Sequence, residues 1–323
     1  MGEKASIFQG VQIGIQSLLG TPVAANKKLT SVSVVPQPRT EADAFRPMGS
    51  KYPSFVTLNK EWSELAISGK ATYNEILYLL ASLISAPTPV QQGTSEAYKW
   101  TFVSDTDGED DGEIFTIEQG DANNAWEVPD GRVTGLTFLF NRQEVSVNGN
   151  GIAGEIDEDS TLTAAPTVLT AIPILPSHVT FKMADTQAGL AGATALTRGF
   201  SMEFSVTEKV GLAWPVGQDP VPVEKVPTIQ AKLKLATDTV GMGLLTTMRA
   251  GTTKWFQIKA TGGLIGETFY HDFQCDFPAQ IEAPGDMADE DNLYVLEYSL
   301  IPIHDATWGK AFQIDVITNV SAL

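Results

Sequence analysis

The sequence has one cysteine and three histidines in 323 residues, and that scarcity removes whole classes of chemistry. Cys275 has no partner for an internal disulfide, which fits a reducing compartment. His178, His271 and His304 include no pair at helical i,i+4 spacing, and no CxxC or HExxH occurs, so a zinc site lacks ligands. The GxSxG nucleophile elbow is also missing. No apolar run approaches the ~20 residues of a membrane-spanning helix; the most apolar helical stretch, Ile76 to Ile84, is far too short. Cations are scarce as well. With 21 basic and 39 acidic side chains the formal net charge is −18, a surface that repels phosphate backbones and argues against tight nucleic-acid binding by counterion release. The segment Met1 to Gly20 lacks the apolar core and cleavage site of a signal peptide. Met1-Gly2 with Ser6 formally fits a myristoylation pattern, but the expectation is a soluble, unlipidated chain made in the cytoplasm.

What is present is a globular composition, 43% hydrophobic and 19% charged, long enough for two ordinary domains. Strand-like alternation covers Thr30 to Val35, Phe55 to Ile67, Trp100 to Val103, Ile114 to Ile117 and His178 to Met183. Val133 to Val147 reads as a long strand that turns near Asn141-Arg142. Pro36, Pro38 and Pro47 mark a Pro-rich loop between the first two strands. Ile76, Leu77, Leu80, Leu83 and Ile84 fall at helical spacing, with Thr72 and Glu75 placed for a capping box. The order then recurs: strands at Phe200 to Val206 and Ile229 to Leu235, a helix through Val240, Leu244, Leu245 and Met248, and strands at Trp255 to Ala260, Phe269 to Ile281 and Leu293 to Ile303. This repeat of element order, with abundant Gly and Pro turns, predicts a mainly β chain of two tandem sandwich or barrel domains, each with one short packed α-helix. The boundary is expected in the Gly/Ala-rich stretch 189–197, giving domains 1–192 and 193–323.

The stretches that imitate binding motifs read more simply as structure. Gly149-Asn-Gly151-Ile-Ala-Gly154 matches GxGxxG, but Glu155, Asp157, Glu158 and Asp159 follow it and would repel a pyrophosphate, so a flexible loop is expected. Asp107, Glu109 and Asp111 alternate around glycines, with Glu118 beyond, in the manner of a calcium loop. The flanks look like strands rather than the helices of an EF-hand, which favours a solvated acidic hairpin tip. Asp286, Asp289, Glu290 and Asp291 receive the same reading. His304-Asp305 reads as a turn pair rather than half of a catalytic triad. Trp62, Trp100, Trp126, Trp214, Trp255 and Trp308 are spread over both halves, as core or interface residues rather than one sugar platform. No catalytic residue, cofactor site or firm metal site is assigned.

Several phrases resemble the tail tube (major tail) proteins of long-tailed bacteriophages. Val11-Gln-Ile-Gly-Ile-Gln-Ser-Leu-Leu-Gly20-Thr-Pro-Val-Ala-Ala25 is similar to that family's opening, with Gln16 where Glu is common. Phe45-Arg-Pro-Met-Gly49, the strand ending Ile67-Ser-Gly69, and Thr72-Tyr73-Asn-Glu75-Ile-Leu-Tyr-Leu-Leu80 continue it. Asp289 to Tyr298 and Ile303 to Lys310 resemble the closing strand pair. The likeness covers most of residues 11–90 and 269–320.

The resemblance implies a non-enzymatic virion protein, assembled in the host bacterial cytoplasm, whose β-sandwich domains join sheets around a channel and stack as rings. It further implies self-association, with three two-domain copies per ring preferred over six copies of one decorated domain. Implied partners are the tail terminator, tape measure and distal tail or baseplate proteins, with double-stranded DNA passing through the lumen without specific binding and no membrane involved. Both halves are acidic, with 23 acidic and 12 basic side chains up to residue 192 and 16 and 9 after it, as suits a wall along which DNA slides. The segment Ala42 to Tyr52 is the candidate contact with an adjacent ring. A secreted or surface β-sandwich adhesin, binding sugar or receptor through exposed tryptophans and calcium loops, is the alternative from a different class, and a two-carboxylate glycoside hydrolase is a third.

Overall fold

The computed structural model describes residues 9–216 and 220–323. The Met1-Gly2-Ser6 pattern lies outside the described residues, as does part of the loop after Trp214. The chain is mainly β. Strands β1 (Gly10–Gln16) and β2 (Lys27–Leu29) precede two long ones, β3 (Val32–Phe45) and β4 (Phe55–Lys70), and the helix α1 (Glu75–Leu83). There follow β5 (Val90–Gln91), β6 (Tyr98–Phe102), β7 (Ile114–Gly120), β8 (Ala125–Asn141), β9 (Val145–Ala153), β10 (Asp157–Ser160), β11 (Thr167–Val168) and β12 (Val179–Ala184). A single-turn α2 (Gly189–Gly192) leads to β13 (Gly199–Thr207), the ribbon β14 (Val210–Ala213) and β15 (Val221–Glu224), β16 (Thr228–Ala236) and α3 (Thr239–Arg249). The chain closes with β17 (Lys254–Gly266), β18 (Phe269–Pro284), β19 (Ala288–Glu290), β20 (Leu293–Pro302) and β21 (Gln313–Thr318).

Strand pairing defines two sheets that share β8. The first half of β8 joins a sheet ordered β11–β2–β1–β7–β8–β10, antiparallel except where β11 runs parallel to β2. Its second half joins a larger antiparallel sheet ordered β3–β4–β9–β8–β13–β16–β20–β18–β17–β12. The edge of β18 that meets β20 also carries β21, which leads out to β6 and β5. The larger sheet folds over on itself. Phe138 on β8 meets Phe273 on β18 at 5.6 Å between ring centroids, and Phe204 on β13 meets Phe277 at 5.1 Å. Interleaved aromatic rings of this kind contribute ~0.5–1.5 kcal/mol per pair beyond simple burial.

The expected division at residue 192 does not separate two sheets or two cores. β12 lies before it yet pairs with β17, β8 pairs with β13, and β6 pairs with β21. One continuous cluster of buried side chains runs from Ile13 to Val316. Element order along a chain cannot reveal such long-range pairing. Nor are the two helices equivalent: every residue of α1 is buried, whereas α3 buries only Gly241 and Leu244. The better cap is on α3, where the Asp238 carboxylate accepts from the backbone N–H of Val240 and Gly241, each at 3.0 Å.

Three local expectations are corrected by the pairing. Pro36 and Pro38 lie within β3 rather than in a loop, because β3 is an edge strand whose outward side needs no donor. Asn148 to Ala153 is strand β9 rather than a flexible loop. Gly149 and Gly151 sit where β9 approaches its neighbours closely; a Cβ would lie 2.4 Å from the Gly135 carbonyl oxygen in one case and 2.8 Å from that of Arg132 in the other. The GxGxxG match is thus a packing feature of a central strand. In the capping box only half the exchange forms: Thr72 Oγ1 accepts weakly from the Glu75 N–H at 3.4 Å, while the Glu75 carboxylate turns elsewhere.

Candidate assembly surface

The sequence of β3 and β4 builds an arm. β4 pairs with β9 from Ser63 to Lys70, so up to Ser63 the ribbon is supported on one side. From Arg39–Trp62 outward to Phe45–Phe55 it has no third strand among the described residues. Seven residues at ~3.3 Å each make this free section roughly 23 Å long. A bulge between Glu41 and Ala42 adds twist partway along. The tip closes with Ser54 N–H donating to Phe45 O at 2.9 Å and Ser50 N–H to Pro47 O at 3.1 Å, around Gly49 at φ 82°.

The arm exposes what a soluble surface usually hides. Phe45, Met48, Tyr52, Phe55, Val56 and Leu58 are all exposed, and the rings of Phe45 and Phe55 stack with centroids 5.0 Å apart. Two ion pairs brace the stem, Arg39–Glu64 at 2.8 Å and Lys60–Glu41 at 2.5 Å. Exposed pairs contribute at most about 1 kcal/mol each. An unsupported two-stranded ribbon is marginal in water, and clustered exposed apolar side chains mark a contact surface. At the base, Trp62 meets Trp214 edge-on at 5.6 Å, and the Lys60 ammonium lies 5.6 Å from the Trp214 ring.

The four residues with calcium-loop spacing are not brought together. Asp107, Glu109 and Asp111 are exposed on the loop between β6 and β7. Glu118 is buried in β7, where its carboxylate accepts from Ala25 N–H at 3.1 Å and from Thr163 N–H and Oγ at 2.6 Å each. No group of three metal-ligating side chains occurs among the described residues. The residue that organises the loop is Asp110, which the spacing argument passed over. It is buried and ion-paired to Lys209, accepts from Ser104 Oγ at 2.6 Å and from Asp105 N–H at 2.9 Å, and its own N–H donates to Glu224 at 2.8 Å. Lys209 also reaches Glu224 at 3.0 Å, so a lysine ammonium occupies the centre of the acidic loop. Asp105, beside it, is held below the usual carboxylate range by backbone N–H donors, first that of Asp107.

The remaining candidates disperse. In the second acidic cluster Glu290 pairs with Lys234 at 2.6 Å and Asp291 with Arg142 at 3.4 Å, on a tight turn where Asp291 and Asn292 both have positive φ. The Asp305 carboxylate accepts from Thr307 N–H at 2.9 Å and Trp308 N–H at 2.7 Å, an occupation that shapes a turn. Trp100 is core, Trp255 packs against Trp308 at 5.0 Å, and Trp126 is exposed elsewhere.

One further polar cluster, largely shielded from solvent, had no signal in any motif. On the face of β17, β18, β21 and β6 turned away from the core lie Asp272, Asp276 and Asp315, laced by Gln257, Gln274 and Lys259. Burial holds the carboxyls of Asp272 and Asp276 above their usual range, against donors that pull the other way. Strand registry alone assembles this row. Compared with protein-family models and with curated proteins, the sequence matches none. No helix among the described residues is long and apolar enough to cross a membrane.

Proposed function

We propose that this chain is a structural, non-enzymatic tail tube subunit of a long-tailed bacteriophage, whose copies join into stacked rings around a channel for the genome. The observation that carries the reading is the arm: about 23 Å of free ribbon presenting Phe45, Met48, Tyr52, Phe55, Val56 and Leu58, all exposed, with no third strand among the described residues. Such a feature gains stability when a neighbouring molecule covers it. The free section of the β3–β4 ribbon leaves backbone on both of its outer edges for sheet joining between copies, as a shared channel wall requires. The net charge of −18 suits passage of DNA without adhesion. On this reading the protein resides in the virion tail, alongside terminator, tape measure and distal tail proteins. The preference for three chains per ring rests on two lobes per chain; with one continuous core, the symmetry of the assembled ring decides between three and six.

Negative-stain electron microscopy of the concentrated protein tests it. Rings or hollow tubes support the reading, and their rotational symmetry separates trimer from hexamer. A variant in which residues 43–57 are replaced by a two-residue turn should remain folded and fail to assemble. Persistent monomers of the intact chain, or tubes formed equally well without the arm, would count against it.

The adhesin alternative has one observation in its favour. Trp62 and Trp214 stand at a groove of about 730 Å³ that also includes Asn150, Glu208 and Lys225, a mixture of aromatic and polar groups suited to a glycan. A glycan-dependent rise in melting temperature, lost in Trp214→Ala, would favour that reading.

A further inference from the structure

Lys209 is the one lysine among the described residues that is fully buried. It stands between β13 and β14, after Glu208 at φ 59°, with its own N–H donating to Thr134 O at 3.0 Å. Its ammonium ends against Asp110, Glu224 and Ser104.

The surroundings of Asp110 fix a carboxyl carbon and not only a charge. Oδ1 accepts from Asp105 N–H at 2.9 Å, and Oδ2 accepts from Ser104 Oγ at 2.6 Å. The backbone is pinned on both sides: Asp110 N–H donates to Glu224 Oε2 at 2.8 Å, and Asp110 O accepts from Arg132 at 2.8 Å. Ser104 Oγ in turn accepts from Lys209 Nζ at 2.8 Å, which makes a directed chain from Nζ–H through Oγ–H to Oδ2. The other carboxylate at Nζ is Glu224, with Oε1 at 3.0 Å. An amine, a carboxyl carbon, a proton relay and a second carboxylate thus meet where the Lys209 and Asp110 side chains are only 1% and 3% exposed. Reactants fixed in contact gain an effective concentration on the order of 10⁵ M or more.

We propose that Lys209 and Asp110 condense within one folded chain into an isopeptide bond between Nζ and Cγ. The ion pair is the state before reaction. One proton passes from the ammonium to the carboxylate, leaving a neutral amine and a carboxylic acid. Nζ attacks Cγ, and as that bond forms the carbonyl electron pair moves onto Oδ1, where Asp105 N–H stabilises it. Glu224 faces the positive charge that develops on Nζ, while Ser104 carries one Nζ proton to Oδ2. The Oδ1 electron pair then re-forms the carbonyl, the Cγ–Oδ2 bond breaks, and one water departs. Its exit is the open cavity of about 460 Å³ that Ser104 and Asp110 line. Nothing is oxidised or reduced. The product joins the β6–β7 loop covalently to the β13–β14 connection, 99 residues away, and does not depend on the assembly reading.

Mass spectrometry of the intact, denatured full chain tests the bond. The expected mass is that of the sequence less one water, allowing for loss of Met1. A protease digest should contain one branched peptide joining the segment with Lys209 to the segment with Asp110. Lys209→Met should show the full mass of its own sequence. Glu224→Gln should stay folded by circular dichroism and remain mostly unlinked. The full sequence mass in folded, unmodified protein overturns the bond. So does a water loss confined to an unbranched peptide, as a succinimide at Asp107-Gly108 or Asp111-Gly112 would give. The branched peptide appearing in Glu224→Gln at the unmodified protein's yield overturns the part assigned to Glu224.

Discussion

Lys209 and Asp110 form an ion pair closed off from solvent, their side chains 1% and 3% exposed. It ties the loop between β6 and β7 to the start of the β14–β15 ribbon, with Glu224 as second acceptor at 3.0 Å. Removing one partner of a buried pair leaves a desolvated charge, at a cost of about 3–5 kcal/mol. Lys209→Met should therefore lower stability by that order in chemical denaturation. Adding Asp110→Asn should restore only part of it, because Glu224 still faces the empty position. Full recovery in the double variant would show that Glu224 has no share in the pair.

Glu75 supplies the opposite solution, a fully buried carboxylate held by donors alone. It accepts from the backbone N–H of Thr30 at 2.7 Å, Ser31 at 3.1 Å and Val32 at 2.9 Å, and from the hydroxyls of Thr30 at 2.9 Å and Ser31 at 2.5 Å. It thereby fixes the loop entering β3 against α1, at the end of β3 opposite the arm. An amide in its place would turn an N–H₂ toward donors, and unsatisfied buried groups cost ~1–3 kcal/mol each. Glu75→Gln should lower stability by roughly 2–3 kcal/mol, with hydrogen-exchange protection lost first at Ser31 and Val32. Unchanged protection at those amides would show that the carboxylate is not what holds the loop.

The contrast between these residues explains what could be read from the sequence. Periodicity located α1, α3 and most strands, because Ile76, Leu80 and Leu83 or Phe200, Met202 and Phe204 must face the core at the period of their element. It could not show that β8 pairs with β13 or β6 with β21, since pairing between strands 60 to 220 residues apart leaves no local pattern. For the same reason the two-core expectation failed. Spacing grouped Asp107, Glu109, Asp111 and Glu118, yet the loop is organised by Asp110 and a lysine about a hundred residues away. The arm was half legible. Ala42 to Tyr52 stood out as a contact segment, but Pro36 and Pro38 disguised the strand beneath it, because a free edge tolerates proline.

Gly149 offers a test of the packing reading of the GxGxxG match. Its ideal Cβ would lie 2.4 Å from the Gly135 carbonyl oxygen and 2.7 Å from Leu136 Cδ2, and backbone on the facing strand cannot rotate aside. Gly149→Ala should cost about 1–3 kcal/mol, the usual range for overpacking. Added NAD or ATP should leave the melting temperature of the unmodified protein unchanged. A nucleotide-dependent rise abolished by Gly149→Ala would restore the phosphate-binding interpretation.

His271 should make the fold sensitive to mild acid. The imidazole is buried on β18, with its ring centroid 5.4 Å from that of Tyr73. Burial holds its pKa below the ordinary value, against a hydrogen bond to Ile317 that pulls upward. A depressed folded pKa means that the unfolded chain, titrating near about 6.5, takes up the proton first. Stability is therefore complete above that value and declines as pH falls from it toward the lower folded pKa. Asp272, next in sequence, acts with the opposite sign: burial raises its folded pKa, so its ionisation weakens the fold as pH rises through the carboxylate range. A comparison that keeps Asp272 and changes only the imidazole separates the two. Between pH 7.5 and about 5, the melting temperature of the unmodified protein should fall more steeply than that of His271→Gln. The gap between the two proteins should narrow as the medium becomes more acidic. Parallel curves over that interval would mean that His271 carries no such penalty and that any acid sensitivity arises from the carboxylates.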